Sequence, residues 1–151
     1  MGADVERIVS GGQAGVDRAA LDAGREAGLP TGGWCPKGRR AEDGPIPEGY
    51  PLRETPSTAY SQRTRWNVRD SDATLVLHRG RMGRGTRLTL RAAAETGRPC
   101  LAVDLSAADP EAVRRWLREH AVRALNVAGP RESEFGGIYA EALAFLRGLF
   151  A

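Results

Sequence analysis

Short apolar runs alternate along this chain with stretches whose apolar residues recur at helical spacing. Residues 5–9 read as a short buried strand. Val16, Ala19, Ala20, Ala23 and Ala27 then follow a helical period, until Gly28 ends the helix and Pro30 blocks its resumption. Residues 31–34 read as a second strand. Residues 35–51 are dense in Pro, Gly and charge and read as a long loop, a length that usually signals function or mobility. Residues 50–54 suit a small edge strand, and residues 57–69 a helix capped by Ser57 or Thr58. Residues 73–77 form an apolar run typical of a central parallel strand. A helix over 86–96 closes at Gly97 and Pro99, and a strand follows over 100–103. Asp109 is a strong helix cap with Pro110 at the first helical position and a buried stripe of Val113, Trp116 and Leu117. A last strand over 124–128 precedes an amphipathic helix carrying Ile138, Ala142, Phe145, Leu146 and Leu149. Strand and helix alternating about five times predict an α/β fold: one doubly wound domain over 1–151, with a mostly parallel sheet of about five strands and helices on both faces.

Composition narrows the partners. The length, 151 residues, suits one domain with its own core. Lys and Arg total 22 against 19 Asp and Glu, a net charge of +3. The cations are nearly all arginine, Lys37 being the single lysine, and acids are interspersed among them. This is not the clustered basic footprint of a nucleic-acid binder. Cys35 and Cys100 make no disulfide framework. Residues 1–9 hold no apolar stretch of signal-peptide length, and no run has the apolar length of a membrane span, so a cytoplasmic protein is expected.

Glycine-rich turns carry the candidate chemistry. Ser10-Gly11-Gly12-Gln13-Ala14-Gly15, Gly80-Arg81-Met82-Gly83-Arg84-Gly85-Thr86 and Asn126-Val127-Ala128-Gly129-Pro130-Arg131-Glu132-Ser133 each follow an apolar run and precede a helix. In a parallel sheet such turns emerge at one edge, the carboxyl ends of the strands, where loops from nearby strands share a cleft. Gly11, Gly12 and Gly15 let backbone approach a ligand, and the helix from Val16 points its first amides at the same spot. Neither the dinucleotide fingerprint nor the Walker A spacing is present. Asp17 suits the helix dipole and Arg18 a surface charge, or both face the ligand. Gly85-Thr86 offers amides and a hydroxyl to a phosphate, with Arg81, Arg84 and Arg87 alongside. In the third turn Arg131 can fork onto a phosphate or carboxylate, beside Asn126, Gly129, Glu132 and Ser133. Around residues 32–40, Trp34 can stack on a flat ring and Lys37, Arg39 and Arg40 form a cationic cluster. Cys35 is either a thiolate ligand or a small packed side chain. Asp70 and Asp72 can pair as acid and base, or Asp72 can cap the turn before its strand. His78 and His120 have no metal-ligand spacing, and no catalytic constellation emerges.

At the level of whole stretches the chain resembles the family named as molybdenum cofactor carrier proteins, a name that records a proposed role. That family lies within a wider Rossmann-like group that includes the DprA and LOG proteins. The resemblance rests on Ile8-Val9-Ser10-Gly11-Gly12-Gln13, on Gly15-Val16-Asp17-Arg18-Ala19-Ala20-Leu21-Asp22, and on Gly33-Trp34-Cys35-Pro36-Lys37-Gly38-Arg39-Arg40-Ala41-Glu42-Asp43-Gly44. Arg63-Thr64-Arg65-Trp66-Asn67-Val68, Asp70-Ser71-Asp72-Ala73-Thr74-Leu75, Gly85-Thr86 and Leu125-Asn126-Val127-Ala128-Gly129-Pro130-Arg131-Glu132-Ser133 complete it. The resemblance implies an anionic pterin-like or nucleotide-like ligand at the first turn and at Gly85-Thr86. It adds Arg63 and Asn67 to the candidate site and implies a homo-oligomer. One departure stands out. LOG-type phosphoribohydrolases resemble Pro-Gly-Gly-x-Gly-Thr-x-x-Glu at the second turn, and here Thr89 stands where the glutamate would be. Threonine cannot stabilise a developing oxocarbenium ion as a carboxylate can, so hydrolysis would need Glu132, Asp72 or Asp17 instead. The expected function is therefore a carrier that binds and protects a molybdopterin-type cofactor. A nucleotide-processing hydrolase and a DprA-like nucleic-acid-binding module are the alternatives.

Overall fold

The computed structural model describes residues 5–151; residues 1–4, part of the stretch searched above for a leader, lie outside it. The strands of the main sheet are β1 (Arg7–Val9), β2 (Thr31–Gly32), β5 (Ala73–His78), β6 (Cys100–Asp104) and β7 (Ala124–Ala128). They form one five-stranded sheet in the order β2-β1-β7-β5-β6, with every neighbour parallel. The apolar runs explain that arrangement. Leu75, Val76, Leu77, Leu125 and Val127 are fully buried, as strands covered on both faces must be.

Five helices complete the layers: α1 (Val16–Glu26), α2 (Tyr60–Arg69), α3 (Arg84–Thr96), α4 (Pro110–Glu119) and α5 (Ile138–Phe150). On one face Ala19, Ala20 and Ala23 of α1, Val113 and Leu117 of α4, and Ala142, Leu146 and Leu149 of α5 share a single core with Ile8, Leu75, Leu77, Leu125 and Val127. Val68 of α2 meets Ala92 and Ala93 of α3 in a smaller cluster. The expected cap of α4 is present, the Asp109 carboxylate accepting from the Glu111 amide at 3.0 Å. Gly97 closes α3 in the left-handed conformation.

Three expectations shift. The strand expected over 31–34 divides at Gly33, whose φ of +133° turns the chain. Beyond it β3 (Trp34–Cys35) leaves the main sheet and pairs in parallel with β4 (Arg53–Glu54). The helix expected from residue 57 begins at Tyr60, and its cap, Ala59, makes no side-chain bond. Residues 57–58 are instead tied to the preceding loop, the Ser57 carbonyl accepting from the Lys37 amide and the Thr58 carbonyl from Arg40. Cys100, which its place in the strand over 100–103 predicts to be a core residue, is half-buried at the edge strand β6.

The long loop is ordered from within. Ala41, Ile46 and Leu52 bury against Leu21 and Cys35. Arg39, itself at φ +55°, donates to the carbonyls of Ile46, Pro47, Tyr50 and Leu52. A guanidinium serving four carbonyls replaces the ladder that a strand would supply.

The topology fixes where a ligand can enter. From β7 the chain passes to α5, on the face of α1, and from β5 to α3, which packs with α2. Adjacent strands whose connections diverge leave a crevice outside their carboxyl ends.

Candidate functional site

That crevice is lined by all three glycine turns. Gly11 and Gln13 come from the first, Gly85 and Thr86 from the second, and Asn126, Ala128, Gly129 and Arg131 from the third. Helix α2 closes the far wall with Tyr60, Arg63, Thr64 and Asn67. Asp17, Leu88, Thr89 and Glu134 complete the lining, and the free volume is about 80 Å³.

Arg63 is the deepest cation. It is buried, its Nη1 donates to the Gly11 carbonyl at 2.8 Å, and the same nitrogen lies 3.9 Å from Asp17 Oδ2. A Cβ on Gly11 would lie 2.6 Å from this guanidinium, so only glycine lets it lie flat on the turn. Burial pulls the Arg63 guanidinium below its ordinary value, and Asp17 pushes it back up. Burial likewise pushes the Asp17 carboxyl up, countered by Arg63 and by the Gln13 amide that donates to it. The pair thus carries a cation into the floor of the cleft, with Nη1 donating to the Gly11 carbonyl. Beside it, the Thr86 hydroxyl in the first turn of α3 is buried and has no hydrogen-bond partner among the described residues. Helix α3 also lacks a side-chain cap at Gly83, so its first amides and this hydroxyl face the cleft unspent. Asn126 spans the sheet, its amide nitrogen donating to Thr74 Oγ1 at 3.2 Å.

Gly15 holds the first and third turns together. Its backbone bridges to Arg131, and the Glu132 amide donates to the Ala14 carbonyl. With φ at +110° and the Pro130 carbonyl 2.5 Å from where a Cβ would sit, the position admits only glycine.

Other expected site residues lie outside the cleft lining. Arg18 straps the first turn, donating to the Gly12 carbonyl and pairing with Asp43 at 2.7 Å. Gly12 packs against Ile46 and Leu52. Trp34 stands edge-on to Trp66 and donates to Asp70, and Arg53 covers its ring. Cys35 is fully buried in the loop core, and burial raises its thiol above the ordinary value. Lys37 and Arg39 belong to the loop, Arg39 as its internal strap. Asp72 accepts from the Arg123 and Ala124 amides at the amino end of β5, the opposite edge of the sheet. Glu132 accepts from the Gly137 and Tyr139 amides and so caps α5. Ser133 is held by Glu42 through both its amide and its hydroxyl. Neither Glu132 nor Asp72 therefore stands where the missing glutamate of the second turn would act.

Six lining residues were not among the expected site residues: Tyr60, Thr64, Leu88, Thr89, Ala128 and Glu134. Tyr60 is the aromatic ring of the cleft, with the guanidinium groups of Arg40, Arg63 and Arg131 at 4.3, 5.1 and 5.6 Å from its centre. Helical spacing was the available signal: Tyr60, Thr64 and Asn67 share the face of Arg63, which the Asn67 motif already marked.

A second hollow of about 430 Å³ lies across the Gly15–Arg131 bridge, lined by Arg18, Asp22, Tyr50, Glu132 and Tyr139 among others. Both tyrosine hydroxyls donate to Asp22, and both phenols are pushed up to about 12 by burial and that carboxylate. Among the described residues no group of three or more His, Cys, Asp and Glu is placed to hold a metal ion, and no helix is long and apolar enough to cross a membrane.

Comparison with known proteins identifies the family and supports the fold. No curated protein matches the chain. One solved structure, the 1.45 Å crystal structure of a "Putative molybdenum carrier protein" from Syntrophus aciditrophicus SB, is 41% identical and superposes with a TM-score of 0.91. The match covers 98% of this chain and 96% of that one. The Circularly permutated YpsA SLOG family matches over residues 8–150, nearly the full length and every turn of the cleft. On that match the chain belongs to the circularly permutated YpsA SLOG family.

Proposed function

We propose that this protein is a carrier that binds an anionic, ring-bearing cofactor of the molybdopterin type in the cleft at the carboxyl edge of the sheet. The observation that carries the reading is the meeting of two groups in one buried place: the Thr86 hydroxyl, without a partner among the described residues, and the Arg63 guanidinium, held on the cleft floor by the Gly11 carbonyl. Burying such groups is costly unless something bonds to them. A phosphate does so, and the N-terminus of α3 adds a favourable field. With about 80 Å³ inside, against roughly 300–1,000 Å³ for whole-ligand pockets, the cleft takes the phosphate-sized part. The ring lies across the mouth beside Tyr60 and Arg131. Gly11, Gln13, Gly85, Asn126 and Gly129 shape the seat, and Asn67 holds the Trp34 backbone behind α2 through paired bonds of 2.8 and 3.0 Å.

Carriage rather than reaction is favoured by what stands at two positions. Asp17 is bonded to the Gln13 amide and faces Arg63, and Thr89 occupies the helical position of the expected glutamate, its hydroxyl donating to the Gly85 carbonyl. The kinship with a protein named as a molybdenum carrier points the same way. The protein's contacts fall on the organic anion and leave the metal to the cofactor's own ligands. We take the working protein to be a cytoplasmic homo-oligomer.

The test is equilibrium binding of molybdopterin-type cofactor and of a nucleoside monophosphate panel to purified protein, followed by native mass spectrometry, which reports bound mass and subunit number together. Saturable binding without release of free base is expected, and it is lost in Arg63→Met. No saturable binding of any of these ligands ends the proposal, and free base released from a monophosphate turns it toward hydrolysis.

A further inference from the structure

Glu134 sits in this cleft as an unexplained anion. It belongs to the segment between β7 and α5 and lines the cleft. Its Oε1 lies 3.3 Å from Arg131 Nε. Its Oε2 rests on Gly83, the N-cap residue of α3, so closely that a Cβ there would have to push the carboxylate aside. A carboxylate has thus been brought beside the positive end of a helix and the guanidinium of the third turn, in the same cleft as the buried Thr86 hydroxyl.

We infer that Glu134 is the cleft's own counter-anion, holding the place at Arg131 and the first turn of α3 that a ligand's phosphate-type group takes when it binds. The inference rests on the proposed ligand class and adds its regulation: entry requires Glu134 to leave. The two layers of the cleft differ in how firmly they are set. Arg63 and Asp17 are both buried and fixed by backbone bonds. Glu134 and Arg131 keep about a third of their side-chain surface exposed, at 33% and 37%. Such a pair is weak and exchanges readily. The backbone around it is held by its neighbours, Ser133 by Glu42 and Gly137 by Glu132, so it is the Glu134 side chain, not the segment, that is free to swing. The carboxylate therefore neutralises the mouth in the free protein and repels any weakly bound anion. A ligand that satisfies Thr86, Arg63 and Arg131 together displaces it.

The experiment is calorimetric titration of the full chain with inorganic phosphate and with AMP. The proteins are the wild type, Glu134→Gln, Glu134→Ala and, as a charge-matched control on the remote helix α4, Glu119→Gln. Removing the competing charge should tighten both probes by roughly three- to tenfold in the two Glu134 variants, with Glu119→Gln unchanged. Wild-type binding that is equalled or weakened in both Glu134 variants overturns the inference and leaves the ligand class standing. Equal tightening in Glu119→Gln also overturns it, because net charge alone would then explain the effect. Absence of binding by every protein ends both this inference and the reading beneath it. Far-ultraviolet spectra and melts of each variant establish that the compared proteins are folded.

Discussion

Replacing Thr86 by valine separates the needs of folding from those of binding. The residue is 3% exposed and its hydroxyl has no hydrogen-bond partner among the described residues. A buried hydroxyl left unbonded costs about 1–3 kcal/mol, and valine keeps the shape while removing the group. Helix propensity changes little between the two residues. The free variant should therefore be more stable by about 1 kcal/mol, seen as a melting temperature higher by roughly 2–4 °C for a chain of this size. Binding should move the other way. A hydrogen bond to a charged group contributes about 1.5–3 kcal/mol, so phosphate or AMP should bind at least about tenfold more weakly. Thermal melts by circular dichroism and calorimetric titration measure the two effects on one preparation. A variant less stable than wild type, or one that binds either probe as well as wild type, would refute the assignment of this hydroxyl to a ligand.

Three further outcomes follow from the same contacts. Arg63→Ala leaves Asp17 buried without its cation and should destabilise by about 3–5 kcal/mol in denaturant titration. Burial already raises the Asp17 carboxyl. A group whose folded value exceeds its unfolded one favours the fold while protonated and loses that advantage as pH rises, so the deficit should be smaller near about pH 4 than at neutrality. Gly15→Ala, with φ at +110° and the Pro130 carbonyl 2.5 Å from the new Cβ, should cost about 2–4 kcal/mol and loosen the bridge to Arg131, visible as faster amide exchange at Glu132. Tyr50 and Tyr139, each held up to about 12, contribute stability that is full below about 10, the unfolded value, and is lost as pH rises through 12. Ultraviolet titration should show both phenols ionising late, and Asp22→Asn should bring them earlier; an unchanged titration in that variant contradicts the shared carboxylate.

The fold was legible because periodicity reports burial directly. The runs at 73–77 and 124–128 are central strands because both faces are covered, and Asp109-Pro110 announces α4 by local chemistry alone. The three turns of the cleft were legible for a related reason: glycines between a strand and a helix mark one edge of a parallel sheet. What was hidden depended on side-chain direction across long separations. Arg39 and Trp34 look like ligands for an anion and a ring, yet one serves loop carbonyls and the other packs on Trp66. Glu132 and Glu134 are two residues apart, yet one caps α5 and the other enters the cleft. Helical spacing from Arg63 and Asn67 reaches Tyr60, but that this face of α2 lines the cleft is visible only in the packed molecule. The break at Gly33 was concealed because a glycine in a strand pattern can be tolerated or can redirect the chain.

The central claim is that the hollow at the strand ends, floored by Arg63 and Thr86, is where an anionic ligand is held. Amide chemical-shift mapping with AMP tests it most directly, because it locates the ligand as well as detecting it. The predicted result is saturable shifts at Gly11, Gly85, Thr86 and Arg131, abolished in Arg63→Met. Shifts confined to the larger hollow beside Tyr50 and Tyr139, or no saturable shifts at all, would contradict it.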